Sequence, residues 1–209
     1  MSSWSTQIEK ELDWREDELT MLKILTVKAH TGSTTKNALL RALTVMLYAH
    51  YEGFCKFIWD LYLDEITKSR IKRKDCCEAI IIFSLKKKFK ELSGNFSPRQ
   101  IWDTFSTHLP QLLDEEIEFN YPLETNSNLW PDLLKSNLEE VALHCAVLDS
   151  HETALKALLN RRNDIAHGQQ NIIRTLDEYE NYEKAVFDIM YELSLTVIDN
   201  LDQLNYRNE

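Results

Sequence analysis

At 209 residues, 44% of them hydrophobic, the chain is long enough to bury one sizeable core, and its composition excludes a disordered or fibrous protein. Four glycines and four prolines are too few for many short strands and tight turns. The expectation is therefore an all-α protein, an antiparallel helical bundle forming a single domain over residues 1–209. The net charge of −10 speaks against a uniformly basic surface, no apolar run reaches bilayer length, and "MSSWSTQIEKELDWRED" lacks the pattern of a signal peptide, so a cytoplasmic protein without a membrane segment is expected.

In the first predicted helix, from about Ser5 to Ala29, Ile8, Leu12, Leu19, Leu22 and Leu25 form one stripe, and "HTGSTTKN" ends it. A second helix runs from about Thr35 to Lys68 with Leu39, Leu43, Leu47, Phe54, Ile58 and Leu61 on one face. Then comes the junction "KSRIKRK" and a helix around "CCEAIIIFSLKKKFKEL" that Gly94 stops. Between Lys68 and Lys90 nine basic residues stand against Asp75 and Glu78, a local +7 that leaves −17 elsewhere. Two readings stay open for it: a solvated helix junction, or an electrostatic footprint for RNA phosphates carried by Lys72, Arg73, Lys74, Lys86, Lys87 and Lys88.

Ser97 as N-cap with Pro98 in the first turn starts a short helix. The segment "PQLLDEEIEFNYPLETNSN" has no helical period and offers a short strand at "EIEF" before "LWPDLLKSNLEEVALH" resumes helix. Asp149 with Glu152, and Thr175 with Glu178, have capping-box spacing and open the last two helices. The final one carries Tyr179, Tyr182, Val186, Ile189, Leu193, Val197, Leu201 and Leu204 at threes and fours. The cysteines, Cys55, Cys76, Cys77 and Cys145, show no CxxC spacing, so no metal site, cofactor or disulfide framework is expected.

The chemistry concentrates in "RRNDIAHG", residues 161–168. At about 100° per residue, Arg162 falls at the centre of the apolar stripe of Leu155, Leu158, Leu159, Ile165 and Ala166. Asn160, Asn163 and His167 share one flank, while Arg161 and Asp164 point toward solvent. A guanidinium on a core face needs an anion or several acceptors. One account is an interior salt bridge, with His167 a helix-end residue; the other is a phosphate held by Arg162 beside a histidine whose tautomer Asn163 sets, acting as acid or base near neutral pH.

The run Arg162-Asn163-Asp164-Ile165-Ala166-His167 resembles the R-x4-6-H signature, with a polar residue after the Arg, of the HEPN superfamily (higher eukaryotes and prokaryotes nucleotide-binding). "LYAHYEGFCKFIWDLYLDEI" is similar to the aromatic, Glu-containing helix of a HEPN branch associated with bacterial defence and restriction loci. The resemblance covers the helix order from about Leu39 to the C-terminus. It implies a bundle that dimerises so that two motif helices form one composite cleft, and a metal-independent endoribonuclease that activates the ribose 2′-hydroxyl and leaves a 2′,3′-cyclic phosphate. On it, Arg162 and His167 are the catalytic residues, Asn163 their polar support, Arg161 a second choice, and Glu52 a supporting residue for Arg162 or a histidine, with a purely structural salt bridge as its other reading. His50 faces another side of its helix and is expected to pack. The implied partners are RNA, a second copy and an antitoxin or restriction-system protein; the alternative is a non-catalytic module binding nucleotide, RNA or a protein. Gln169 stands where branches paired with a nucleotidyltransferase antitoxin often carry Tyr, which weakens regulation by that route.

Overall fold

Four long helices carry the core of the computed structural model, which describes residues 3–92, 94, 96–169, 173 and 175–208. They are α1 (Ser3–Lys28), α2 (Thr34–Lys68), α8 (Leu148–Ala166) and α9 (Leu176–Asp202), with shorter elements inserted between α2 and α8. Side-chain pairs set the directions. Lys23 near the end of α1 reaches Glu183 near the start of α9, and Arg161 near the end of α8 reaches Glu178. Arg41 at the start of α2 donates to the carbonyl of Gln169 just past α8. The pairs α1/α9, α8/α9 and α2/α8 therefore run antiparallel while α2 and α9 run parallel, and the end of α8 shares one end of the bundle with the starts of α2 and α9.

Helix α9 buries the expected stripe from Tyr179 to Leu201. Leu204 departs from it, because it lies past the Gln203 cap at φ +57° with its side chain exposed. Helix α2 departs more. It buries Leu40 rather than Leu39 most fully and adds Tyr48, Tyr51, Cys55, Trp59, Tyr62 and Leu63. The reason is that α1, α8 and α9 all pack on it, so most of its surface is interior and a single stripe cannot describe it. His50 packs as expected, edge-on to Trp14 at 5.0 Å, with Nε2 2.8 Å from Glu18 Oε2.

The inserted region corrects several expectations. The helix expected to run to Gly94 divides into α3 (Glu78–Ser84) and α4 (Lys86–Leu92) at Leu85, which leaves helical geometry at φ −101° and ψ 5° and shares its N–H between the Ile81 and Ile82 carbonyls at 3.2 Å. Then come α5 (Pro98–Asp103), opened by a Ser97/Gln100 capping box, a π-helical turn Thr104–His108, α6 (Leu109–Asp114) and α7 (Pro131–Glu140). No strand forms at "EIEF" among the described residues: an isolated Lys72–Glu116 bridge, made by the bonds from Ile117 N–H to the Ile71 carbonyl at 2.8 Å and from Arg73 N–H to the Glu115 carbonyl at 3.0 Å, pairs it with the junction. Beyond it the chain follows α2, and the Trp59 indole donates to the Tyr121 carbonyl at 3.0 Å.

Capping at α8 also differs. The helix begins at Leu148, one residue before the expected Asp149 cap, so Asp149 sits in the first turn and pairs with Lys135 at 2.7 Å. Thr175 caps α9 as expected, accepting from the Glu178 N–H at 3.2 Å.

Candidate functional site

Helix α8 ends in a Schellman turn. Gln169 N–H bonds to the Asp164 carbonyl and Gly168 N–H to the Ile165 carbonyl, both at 3.0 Å, with Gly168 at φ +82°. Only a residue without Cβ takes that conformation cheaply, so Gly168 is what lets the chain leave at this point. His167 is the capping residue and its side chain is exposed at the C-terminal end of the helix.

Arg162 lies half-buried across the α2–α8 groove. Its guanidinium carbon sits 4.7 Å from the centroid of the Tyr48 ring. Nη1 donates to Asn128 Oδ1 at 3.0 Å and to Asn163 Oδ1 at 2.9 Å. A ring face and two amide carbonyls thus satisfy one side of the cation without a carboxylate, so neither account drawn from the helical wheel is what tethers it. With Nη1 committed, the Nε and Nη2 hydrogens have no partner among the described residues and present the fork that matches phosphate oxygens. The head lines a cleft of about 290 Å³ with Val45, Tyr48, Ala49, Glu52, Gly53 and Lys56.

Asn163 therefore serves Arg162; its own carbonyl accepts the His167 N–H at 2.9 Å, and no side-chain bond joins it to the imidazole among the described residues. Glu52 is near but not paired with Arg162. It takes the Tyr48 hydroxyl and the Lys56 ammonium, the latter at 2.6 Å. Burial alone raises the Glu52 carboxyl, yet hydrogen bonds from Lys56 and Tyr48 and the charges of Lys56 and Arg162 outweigh it and hold the group below its ordinary range. The Tyr48 hydroxyl in turn accepts the buried Leu129 N–H at 2.9 Å. Arg161 does not face solvent alone: it reaches across to Glu178 of α9 at 3.3 Å.

Sequence reasoning missed Tyr48, Asn128 and Arg41. Tyr48 lay within a quoted aromatic run and stands one turn before Glu52, a signal that was available. Asn128 comes from a loop where Asn126 and Ser127 hold φ of +45° and +74°, and no periodicity points from there to α8. Arg41 precedes Tyr48 by two turns on the same side of α2.

The basic run resolves into unequal parts. Lys72 and Lys74 both pair with Asp114, at 3.1 and 2.7 Å. Arg73 is buried, donating to the Leu112 carbonyl at 2.9 Å and to Glu115 at 3.2 Å, which makes it a structural tie and removes it from any RNA path. Lys86 is bound by both oxygens of Glu140 at 2.7 Å. Lys87 and Lys88 remain exposed. No group of three or more His, Cys, Asp or Glu able to hold a metal, and no helix long and apolar enough to cross a membrane, occurs among the described residues.

Compared with known families, residues 4–206 match the family described as HEPN_MAE_28990:/-like HEPN. No curated protein and no solved structure matches the chain.

Proposed function

This chain belongs to the HEPN family, and on that footing we propose that it is a metal-independent endoribonuclease acting as a homodimer. The observation that carries the reading is Arg162, tethered through Nη1 over the Tyr48 ring with the rest of its fork open to the cleft. In the proposed reaction His167 takes the proton of a ribose 2′-hydroxyl and the 2′-oxygen attacks the adjacent phosphorus. Arg162 stabilises the charge that grows on the phosphorane oxygens. The bond to the 5′-oxygen breaks, that oxygen takes a proton from the imidazolium of the partner's His167, and a 2′,3′-cyclic phosphate is left. A two-fold arrangement supplies the acid and the base from opposite sides of the phosphate. The biological role we attach to it is that of a cytoplasmic toxin or anti-phage effector, restrained by an antitoxin or restriction-system partner.

Purified protein incubated with total RNA and with tRNA should cut in the presence of EDTA and leave cyclic-phosphate ends, and His167→Ala should lose at least about 100-fold in rate. EDTA-sensitive cleavage or an active His167→Ala variant would overturn the mechanism. One observation favours a second reading, a non-catalytic module that binds RNA or nucleotide: Asn163, the residue that was to orient His167, is committed to Arg162. That reading is upheld if RNA binds tightly and depends on Arg162 while no cyclic phosphate forms.

A further inference from the structure

A second cavity, of about 300 Å³, opens between α2, α4 and α7, and nothing in the reading above uses it. We propose that it is a nucleotide-binding subsite, taking one base with its phosphate at the mouth. The wall is aromatic: Phe83 stands edge-on to Trp59 at 5.4 Å and to Tyr121 at 5.5 Å. Asn137 also lines it and is only 4% exposed. Its amide nitrogen donates both hydrogens, to the carbonyls of Glu124 at 2.9 Å and Leu133 at 2.8 Å, and its Oδ1 accepts from no donor among the described residues.

A buried amide that lines the cavity and is held rigid through its nitrogen by two carbonyls asks for a ligand carrying an N–H. A base amine or ring N–H meets that need, its flat apolar body suits the aromatic wall, and its phosphate suits the ammonium of Lys87 at the rim. Lys86 is not available for that role, being bound to Glu140. The volume is at the small end of ligand pockets, about that of one nucleotide. Trp59 lies roughly three turns beyond Tyr48 on α2, about 16 Å along the axis, so the subsite is separate from the Arg162 cleft. A nucleotide within a single strand and a free mononucleotide share this chemistry.

The test is binding to the full chain by fluorescence anisotropy, using a labelled 2′-O-methyl oligoribonucleotide, which cannot be cut by 2′-oxygen attack, with mononucleotides and inorganic phosphate as competitors. Lys87→Glu should weaken the oligonucleotide about tenfold, whereas Lys88→Glu, the same charge change one residue along and outside this cavity, should change it about twofold or less. Both side chains are exposed, so both variants should keep the melting temperature of the wild type. Competition by mononucleotides identifies a free nucleotide as sufficient; binding of the oligonucleotide alone identifies the strand, and both support the subsite. Equal effects of the two substitutions, or inorganic phosphate competing as well as a mononucleotide, would overturn it. Because the probe is uncleavable, a failure of the proposed cleavage at His167 leaves this result standing, and the reverse also holds.

Discussion

Removing the Tyr48 hydroxyl tests the site most directly, because that oxygen ties α2 to the segment before α7 while the ring below Arg162 is left in place. In Tyr48→Phe the ring stays under Arg162, but the Leu129 N–H loses its acceptor in a place where Leu129 is 0% and Tyr48 2% exposed, so water cannot replace it. A stranded buried N–H costs about 1–3 kcal/mol. At about 2–4 °C per kcal/mol for a chain of this size, the melting temperature should fall by roughly 2–12 °C. Tyr48→Leu removes the ring as well. Cation–π support of a half-buried guanidinium is worth about 1 kcal/mol. In urea denaturation, the double-mutant cycle of Tyr48→Leu with Arg162→Ala should therefore show a coupling of about 1 kcal/mol, and the cycle of Tyr48→Phe with Arg162→Ala a coupling near zero. Equal couplings in the two cycles would refute the ring as the support of Arg162. An unchanged stability of Tyr48→Phe would refute the hydroxyl as the acceptor for Leu129.

Other measurements address single elements. Glu52 is held below its ordinary 4.5 in the folded protein, so it adds stability above that value and loses it as pH falls through the folded one. The stability gap between wild type and Glu52→Gln, followed by thermal unfolding from pH 7 downward, should thus shrink below about pH 4.5; a gap that widens on acidification contradicts the sign. Gly168→Ala meets no atom within 4 Å, so its cost is the positive φ alone, about 1 kcal/mol, and a neutral substitution would mean that the α8 turn is not as described. Thr175→Ala should cost about 1 kcal/mol by chemical denaturation and Asp149→Ala less than about 0.5, since only the first caps a helix and the second loses an exposed pair with Lys135. The reverse order would restore Asp149 as a cap.

How much of this could be read from the sequence depended on how many neighbours each helix has. The stripe of α9 from Tyr179 to Leu201 was legible because that helix turns one continuous side to the core. Helix α2 was legible in its extent but not in its faces, since three long helices pack on it and burial there follows no single period. Charge was the least legible property. Arg73 stands in a run with Lys72 and Lys74, yet it is buried against Leu112 and Glu115 while its neighbours share Asp114 at the surface. Composition places all three in one basic patch; only the packing of α6 against the junction separates them.

The motif shows the same division between what lies along one helix and what comes from elsewhere. Position on the wheel separated Arg162, which faces Tyr48 of α2, from Arg161, which turns the other way but reaches Glu178 of α9 rather than solvent alone. What meets Arg162 was not readable, because Tyr48 comes from α2 and Asn128 from a loop bent by two left-handed residues. The consequence is chemical. A guanidinium bound to a buried carboxylate would have its charge spent within the fold, whereas one tethered by a ring face and two neutral amides keeps its full charge at the cleft. Glu52, turned aside by Lys56 and Tyr48, is what leaves that charge unspent. Lys56→Ala should for this reason impair phosphate binding at Arg162 by freeing Glu52 to swing toward it, an effect read as weaker oligonucleotide binding that Glu52→Gln restores. If the second substitution fails to restore binding, Lys56 contacts the ligand itself.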